Sequence, residues 1–121
     1  MIARHNLARR VLAAAALALP IAACAGITPG DPDLYGGLDD SDVKLAARLM
    51  QTTLEKAPDG TMRRWSNDQT GNSGEITPLR TYATEDGTFC REYREELAVG
   101  GATGRFYHTA CRDDAARWEW L

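Results

Sequence analysis

The sequence predicts an α+β fold: one amphipathic helix packed on a small antiparallel β-meander of four to five strands, with a cross-strand disulfide. Three observations carry this. Apolar residues recur at helical spacing up to Ala57. From Thr61 onward the pattern changes to alternating runs separated by turn residues. Finally, a two-residue Gly100-Gly101 loop pairs Val99 with Ala102, and the same register sets Cys90 directly opposite Cys111.

The N-terminus reads as a secretory signal over residues 1–23. Arg4, Arg9 and Arg10 precede an apolar run from Val11 to Leu19, then Pro20 and small residues. The run is shorter than the ~20 residues that span a bilayer. Its end, Ile21-Ala22-Ala23-Cys24, resembles a bacterial lipobox. That resemblance implies that Cys24 becomes the lipidated first residue of the mature chain. The alternative is a plain cleavable signal with an Ala-x-Ala cut. Ala25 stands where an Asp often signals inner-membrane retention, so the lipobox resemblance implies the outer membrane.

With three of the 14 basic residues in the signal, 11 face 17 acidic ones, a net charge of −6. Such a domain offers no electrostatic footprint for nucleic acid and does not suit anionic headgroups. Three cysteines are an odd number for an exported chain. If Cys24 is acylated, Cys90 and Cys111 remain as a pair, and disulfides persist in the oxidising periplasm. Two free buried thiols are the alternative.

Residues 24–38 are rich in Gly, Pro and Asp and read as the lipidated cysteine followed by a flexible tether. Fully extended, this stretch would reach ~45 Å. The domain proper would span 39–121. Its helix would be capped by Asp40 or Ser41 and stopped by Pro58-Asp59-Gly60. Val43, Ala46, Ala47, Met50, Leu54 and Ala57 form the expected inner stripe, widened by Leu45 and Leu49. A partner-binding helix would show the same pattern. Strands are expected over 62–66, 75–84, 88–99, 105–112 and 117–121. The Gly-Gly register places Glu96 opposite Arg105 and Arg94 beside Tyr107 on the cysteine face. Phe89, Tyr93, Leu97, Val99, Phe106 and Ala110 share the other face. Carried through Asp86-Gly87, the register adds Ile76 and Tyr82 to that apolar face. Pro78 calls for an edge or a bulge. Trp118 and Trp120 join the apolar face if the last turn has an odd number of residues.

Catalytic and metal chemistry find little support. Of the two histidines, only His108 follows the signal, and it falls opposite Tyr93 as a core-edge residue. One histidine and a disulfide make no zinc site, and no calcium-loop spacing is present. Asp39-Asp40-Ser41-Asp42 suits the first turn of a helix. Glu92, Glu95 and Glu96 interleave with Arg91 and Arg94 as a paired strand surface. Gly100-Gly101 and Gly104 lack the following helix of a phosphate loop. No cofactor is implied. Arg63, Arg64 and Trp65 make a basic-aromatic patch that would dock a partner or simply form a strand.

One resemblance extends over residues 64–118. It is carried by Arg64-Trp65-Ser66-Asn67, Thr70-Gly71-Asn72-Ser73-Gly74, Thr77-Pro78, Thr81-Tyr82, Cys90-Arg91-Glu92-Tyr93, Gly100-Gly101, Thr109-Ala110-Cys111-Arg112 and Trp118. The stretch resembles the C-terminal domain of the 17 kDa surface antigen family, rickettsial-type outer-membrane lipoproteins of Gram-negative bacteria. Two departures stand out. The Gly-zipper segment of many members is replaced by the tether and helix. The closing turn, Asp113-Asp114-Ala115-Ala116, lacks the glycine common before the tryptophan. The resemblance brings no catalytic residues. It implies a non-enzymatic envelope lipoprotein, facing the periplasm or the cell surface, with a structural or interaction role. Its expected partners are the outer membrane, through the lipid, and an unidentified envelope protein. Arg63, Arg64, Trp65, Arg94 and Tyr107 are the candidate contact surface. The other classes left open are an inhibitor of a periplasmic protease or lysozyme, acting through loop 67–73, and an accessory lipoprotein of an outer-membrane assembly machine.

Overall fold

A computed structural model of the chain describes residues 28–121. The signal peptide and Cys24 lie outside the described residues. After a 3-10 helix, Pro32–Gly37, come α1 (Asp40–Lys56), β1 (Arg63–Ser66), β2 (Ser73–Ala83), β3 (Phe89–Val99), β4 (Ala102–Arg112) and β5 (Trp118–Trp120). The strands form one antiparallel sheet in sequence order. α1 covers one face and the other is open, as an α+β meander requires.

The cap of α1 is Asp39, one residue before the expected position. Its carboxylate accepts from the Ser41 amide, while the Asp42 carboxylate accepts from the Asp39 amide at 2.9 Å. This closes a capping box. The buried stripe is rotated from the expected one: Val43 is 50% exposed and Ala47 is exposed. The inward positions are Asp42, Leu45, Ala46, Leu49, Met50, Thr53, Leu54 and Ala57, the i, i+3, i+4 rhythm of a core-facing helix.

Leu54 packs with Ile76, Tyr93, Ala110 and Trp118, backed by Leu49 and Met50. A second cluster holds Trp65, Leu97 and Val99. Gly74 sits opposite Trp65, and a Cβ there would overlap the indole. β5 is tied to α1 by side chains. Gln51 donates to the Trp118 carbonyl and accepts from its amide, at 2.6 and 2.8 Å, and the Trp118 indole donates to Glu55.

The β3–β4 register is the expected one. Val99 pairs with Ala102, Glu96 with Arg105, Arg94 with Tyr107, Tyr93 with His108 and Cys90 with Cys111. The cysteines form a disulfide with a Cα separation of 4.0 Å. The last turn, Asp114 to Ala116, has three residues, so Trp118 and Trp120 both take the helix face. Ala116 adopts φ 62°, the left-handed conformation that glycine holds without strain.

Tyr82 is a correction. It pairs with Cys90 and lies on the disulfide face. The β2–β3 loop contains Glu85, Asp86 and Gly87, one residue more than the Asp86-Gly87 turn through which the register was carried, and this flips the parity of the strand beyond it. A bulge between Pro78 and Arg80 flips it back, so Ile76 does face the helix. Pro78 thus marks a bulge in an interior strand.

The second correction concerns the tether. Residues 28–38, expected to be free, lie against the sheet. Gly30 donates to the Arg105 carbonyl at 2.7 Å, and Arg105 donates to Thr28 at 3.1 Å, a parallel bridge on the outer edge of β4. Leu34, Tyr35 and Leu38 pack on the Leu97–Val99 end of the core. Gly30 is required there, since a Cβ would overlap the Phe106 ring. Apolar burial offsets the entropy that composition alone predicts the segment would keep.

Candidate functional site

The open face of the sheet is built by period-two alternation from β1 to β5. Its first row reads Arg64, Glu75, Glu96, Arg105 across four strands. Arg64 pairs with Glu75 at 3.3 Å and Arg105 with Glu96 at 2.7 Å, while Arg94 approaches Glu96 at 3.5 Å. Arg80 holds Glu92 through two hydrogen bonds and stacks over the Tyr82 ring. The Cys90–Cys111 bridge closes the far end of this face. Surface pairs of this kind contribute little each, ~0 to 1 kcal/mol, so they add little to the stability of the sheet.

The expected contact residues do not form one patch. Arg64, Arg94 and Tyr107 share the open face. Trp65 is buried beneath α1, and Arg63 is exposed on the helix side of the sheet. The basic-aromatic run is therefore a strand with alternating destinations.

Three buried polar clusters lie on the helix side. Asp42 accepts from Asn67 and Thr70 at Oδ1, both at 2.7 Å. At Oδ2 it accepts from Asn72 at 2.8 Å and from the Asp39 amide at 2.9 Å. Burial pushes this carboxyl up, but the hydrogen bonds from Thr70, Asn72, the Asp39 amide and Asn67 outweigh it and hold the pKa at about 2. Asn72 also accepts from the Gly100 amide at 3.0 Å, linking loop 67–72 to the β3–β4 turn. That loop is rigidly held, with its tip, Asp68 to Gly71, exposed.

Arg91 forms the second cluster. Its guanidinium donates to the Leu54 carbonyl at 2.7 Å and to Asp59 at 2.8 Å, beneath the C-terminal end of α1. A cation there satisfies terminal carbonyls and complements the helix dipole. Hydrogen bonds from Arg91 and Thr81 in turn hold Asp59 below the usual carboxylate range. Arg91→Ala should cost about 2 kcal/mol, the scale of hydrogen bonds to a charged group. A lowered urea midpoint with an unchanged slope is the expected readout.

In the third cluster, Tyr35 donates to Glu95, and its hydroxyl lies 2.9 Å from His108 Nε2, itself 3.0 Å from Glu95. Burial, then the bond to Glu95, push the Tyr35 hydroxyl far above its usual pKa. Trp120 stacks on the His108 ring at 4.7 Å. His108 is a core-edge histidine bonded to its neighbours, as the register suggested. Arg91 and Glu95 correct the reading of a paired strand surface, since both are buried on the helix side.

Sequence reasoning missed Asp42, Arg91 and Glu95 as network centres. The available signal was positional. Asp42 sits on the apolar stripe of α1, and Arg91 and Glu95 have the parity of Tyr93 and Leu97. Among the described residues, no cluster of three or more His, Cys, Asp or Glu side chains could hold a metal, and no helix is long and apolar enough to cross a membrane.

These features define a class: a one-helix, five-strand antiparallel domain, stapled by a cross-strand disulfide, whose buried ionisable groups tie its segments together. The comparisons with known proteins are specific. The family model of the 17 kDa outer membrane surface antigen matches residues 52–119. The 17 kDa surface antigen of Rickettsia bellii is 41% identical over 83 residues, covering 69% of this chain and 52% of that protein. Its counterpart from Rickettsia rickettsii is 39% identical over the same length, with the same coverage. The one from Rickettsia australis is 41% identical over 76 residues, 63% of this chain and 49% of that protein. The chain belongs to the 17 kDa outer membrane surface antigen family. It spans about half the length of the curated relatives it matches. No solved structure matches it. Asn67, Thr70, Asn72, Arg91 and Glu95 fall within the family match, whereas Asp42 and Tyr35 precede it.

Proposed function

We propose that the protein is a non-enzymatic outer-membrane lipoprotein, anchored through acylated Cys24, with a structural or interaction role in the cell envelope. The observation that carries the reading is the cysteine pairing. With Cys90 joined to Cys111, Cys24 is the remaining cysteine, and it ends the lipobox-like Ile21-Ala22-Ala23-Cys24. The family's own description names the outer membrane. The non-enzymatic part of the reading rests on the family's description as a surface antigen. Asp42, Arg91, Glu95 and His108 each close on structural partners. The open face, with Arg64 and Arg94 and with Tyr107 at its border, is the surface offered to an envelope protein.

Metabolic labelling with palmitate tests the anchor. The wild-type chain should take up label and fractionate with the outer membrane. Cys24→Ser should lose the label and accumulate at the precursor size. An unlabelled wild-type chain, or a labelled Cys24→Ser chain, would reject the proposal.

A further inference from the structure

We infer that the outer edge of β4, with the aromatic side chains beside it, lies against the lipid surface, so that the domain stands edge-on to the membrane. This deepens the anchor reading and rests on acylation at Cys24. The first argument is reach. Residues 28–30 are docked beside Arg105. Only four peptide links separate Cys24 from Thr28, at most about 13 Å of chain. That is no more than the ~13 Å radius of gyration of a domain of this size. The docked segment therefore removes most of the stalk that composition suggested. The lipid and the β4 edge are held together.

The second argument is what this edge carries. Trp120 is 55% exposed and Tyr107 66% exposed, and they flank the outer side of β4 on opposite faces of the sheet. Exposed Leu121 donates to the Thr109 carbonyl on the same edge. From Arg105 to Thr109 is about 13 Å along the strand, within the span that the anchor allows. Tryptophan and tyrosine are the side chains that settle at the headgroup level, with an apolar body and a polar tip. Exposed Asp31, Asp33 and Glu119 lie beside this edge, while its Arg105 and the neighbouring Arg94 are both drawn to Glu96. A zwitterionic surface therefore suits the edge better than an anionic one.

The chain carries its own reporter. Trp65 and Trp118 are buried, at 5% and 4% exposure, so Trp120 is the exposed tryptophan. The full-length lipidated protein would be reconstituted in phosphatidylcholine vesicles containing brominated phosphatidylcholine, with the acyl mass at Cys24 checked first. Trp120 emission should shift to the blue and be quenched by the bromine. Its quenching by aqueous iodide should fall several-fold relative to the unacylated Cys24→Ser domain. Trp120→Phe should abolish both responses and leave only the emission of the buried Trp65 and Trp118, unchanged by the vesicles. An acylated protein whose Trp120 stays open to iodide and untouched by bromine would overturn the orientation alone. A missing acyl mass would overturn the anchor and this inference with it.

Discussion

Asp42→Ala should destabilise the domain by about 4 kcal/mol, the upper end of what single substitutions do. The carboxylate is fully buried and accepts from four donors on two segments of the chain, the Asp39 amide before α1 and the side chains of Asn67, Thr70 and Asn72 in loop 67–72. Each bond to a charged acceptor contributes ~1.5 to 3 kcal/mol, and the loss leaves the buried Asn67 and Asn72 amides unsatisfied. Asp42→Asn keeps the shape but not the chemistry. Its amide oxygen can serve one pair of donors, and its NH2 group then faces the other pair. It should cost about half as much. The pH dependence has a definite sign. The folded pKa, about 2, is depressed below the usual 3.8. The stabilisation is therefore complete above pH 3.8 and fades as pH falls toward 2. Urea titrations should show the gap between wild type and Asp42→Ala narrowing across that window. Loop 67–72 supplies a local readout, since amide exchange at Asn67 and Gly100 should rise first. A loss below about 1 kcal/mol would mean that water replaces the carboxylate at little cost.

The β3–β4 hairpin was legible because two constraints coincide there. A Gly-Gly turn sets the register, and a period of two sorts every later residue to one face. That reasoning located the disulfide and put His108 opposite Tyr93. The same logic failed for Tyr82. An Asp-Gly signal fits loops of two or three residues, and the bulge at Pro78 concealed the error at Ile76. The networks were illegible for another reason. A charged side chain on a core-facing position is read as surface unless its partners are known, and those of Asp42 lie 25 to 30 residues away. The open-face residues were placed by the register alone, so Arg94 and Tyr107 fell where expected. Trp65 did not, because β1 lies two turns beyond any register the sequence determines. The tether was misread from composition, although Leu34, Tyr35 and Leu38 are three apolar side chains in five positions and were the signal of docking.

Breaking the Cys90–Cys111 bridge should be the second-largest effect, a loss of about 3 kcal/mol. The bridge closes a loop of 21 residues, and the loop-closure entropy it removes from the unfolded chain is of that size. At ~4 to 8 °C per kcal/mol for a domain this small, melting should fall by roughly 12 to 24 °C. The location favours a large effect. The Gly100-Gly101 turn already holds one end of the β3–β4 hairpin, and the cysteines hold the other. That second end is where β5 joins the sheet and where the three-residue loop leaves β3. Reduction and the Cys90→Ala/Cys111→Ala double variant separate the two contributions. If chain entropy dominates, both should lose the same stability, because neither changes the folded contacts much. If the double variant loses clearly more, packing of the buried Cys90 sulfur contributes as well. Melting unchanged under strong reductant, with free thiols confirmed by mass, would show that helix packing and the Asp42 network hold the sheet without the staple.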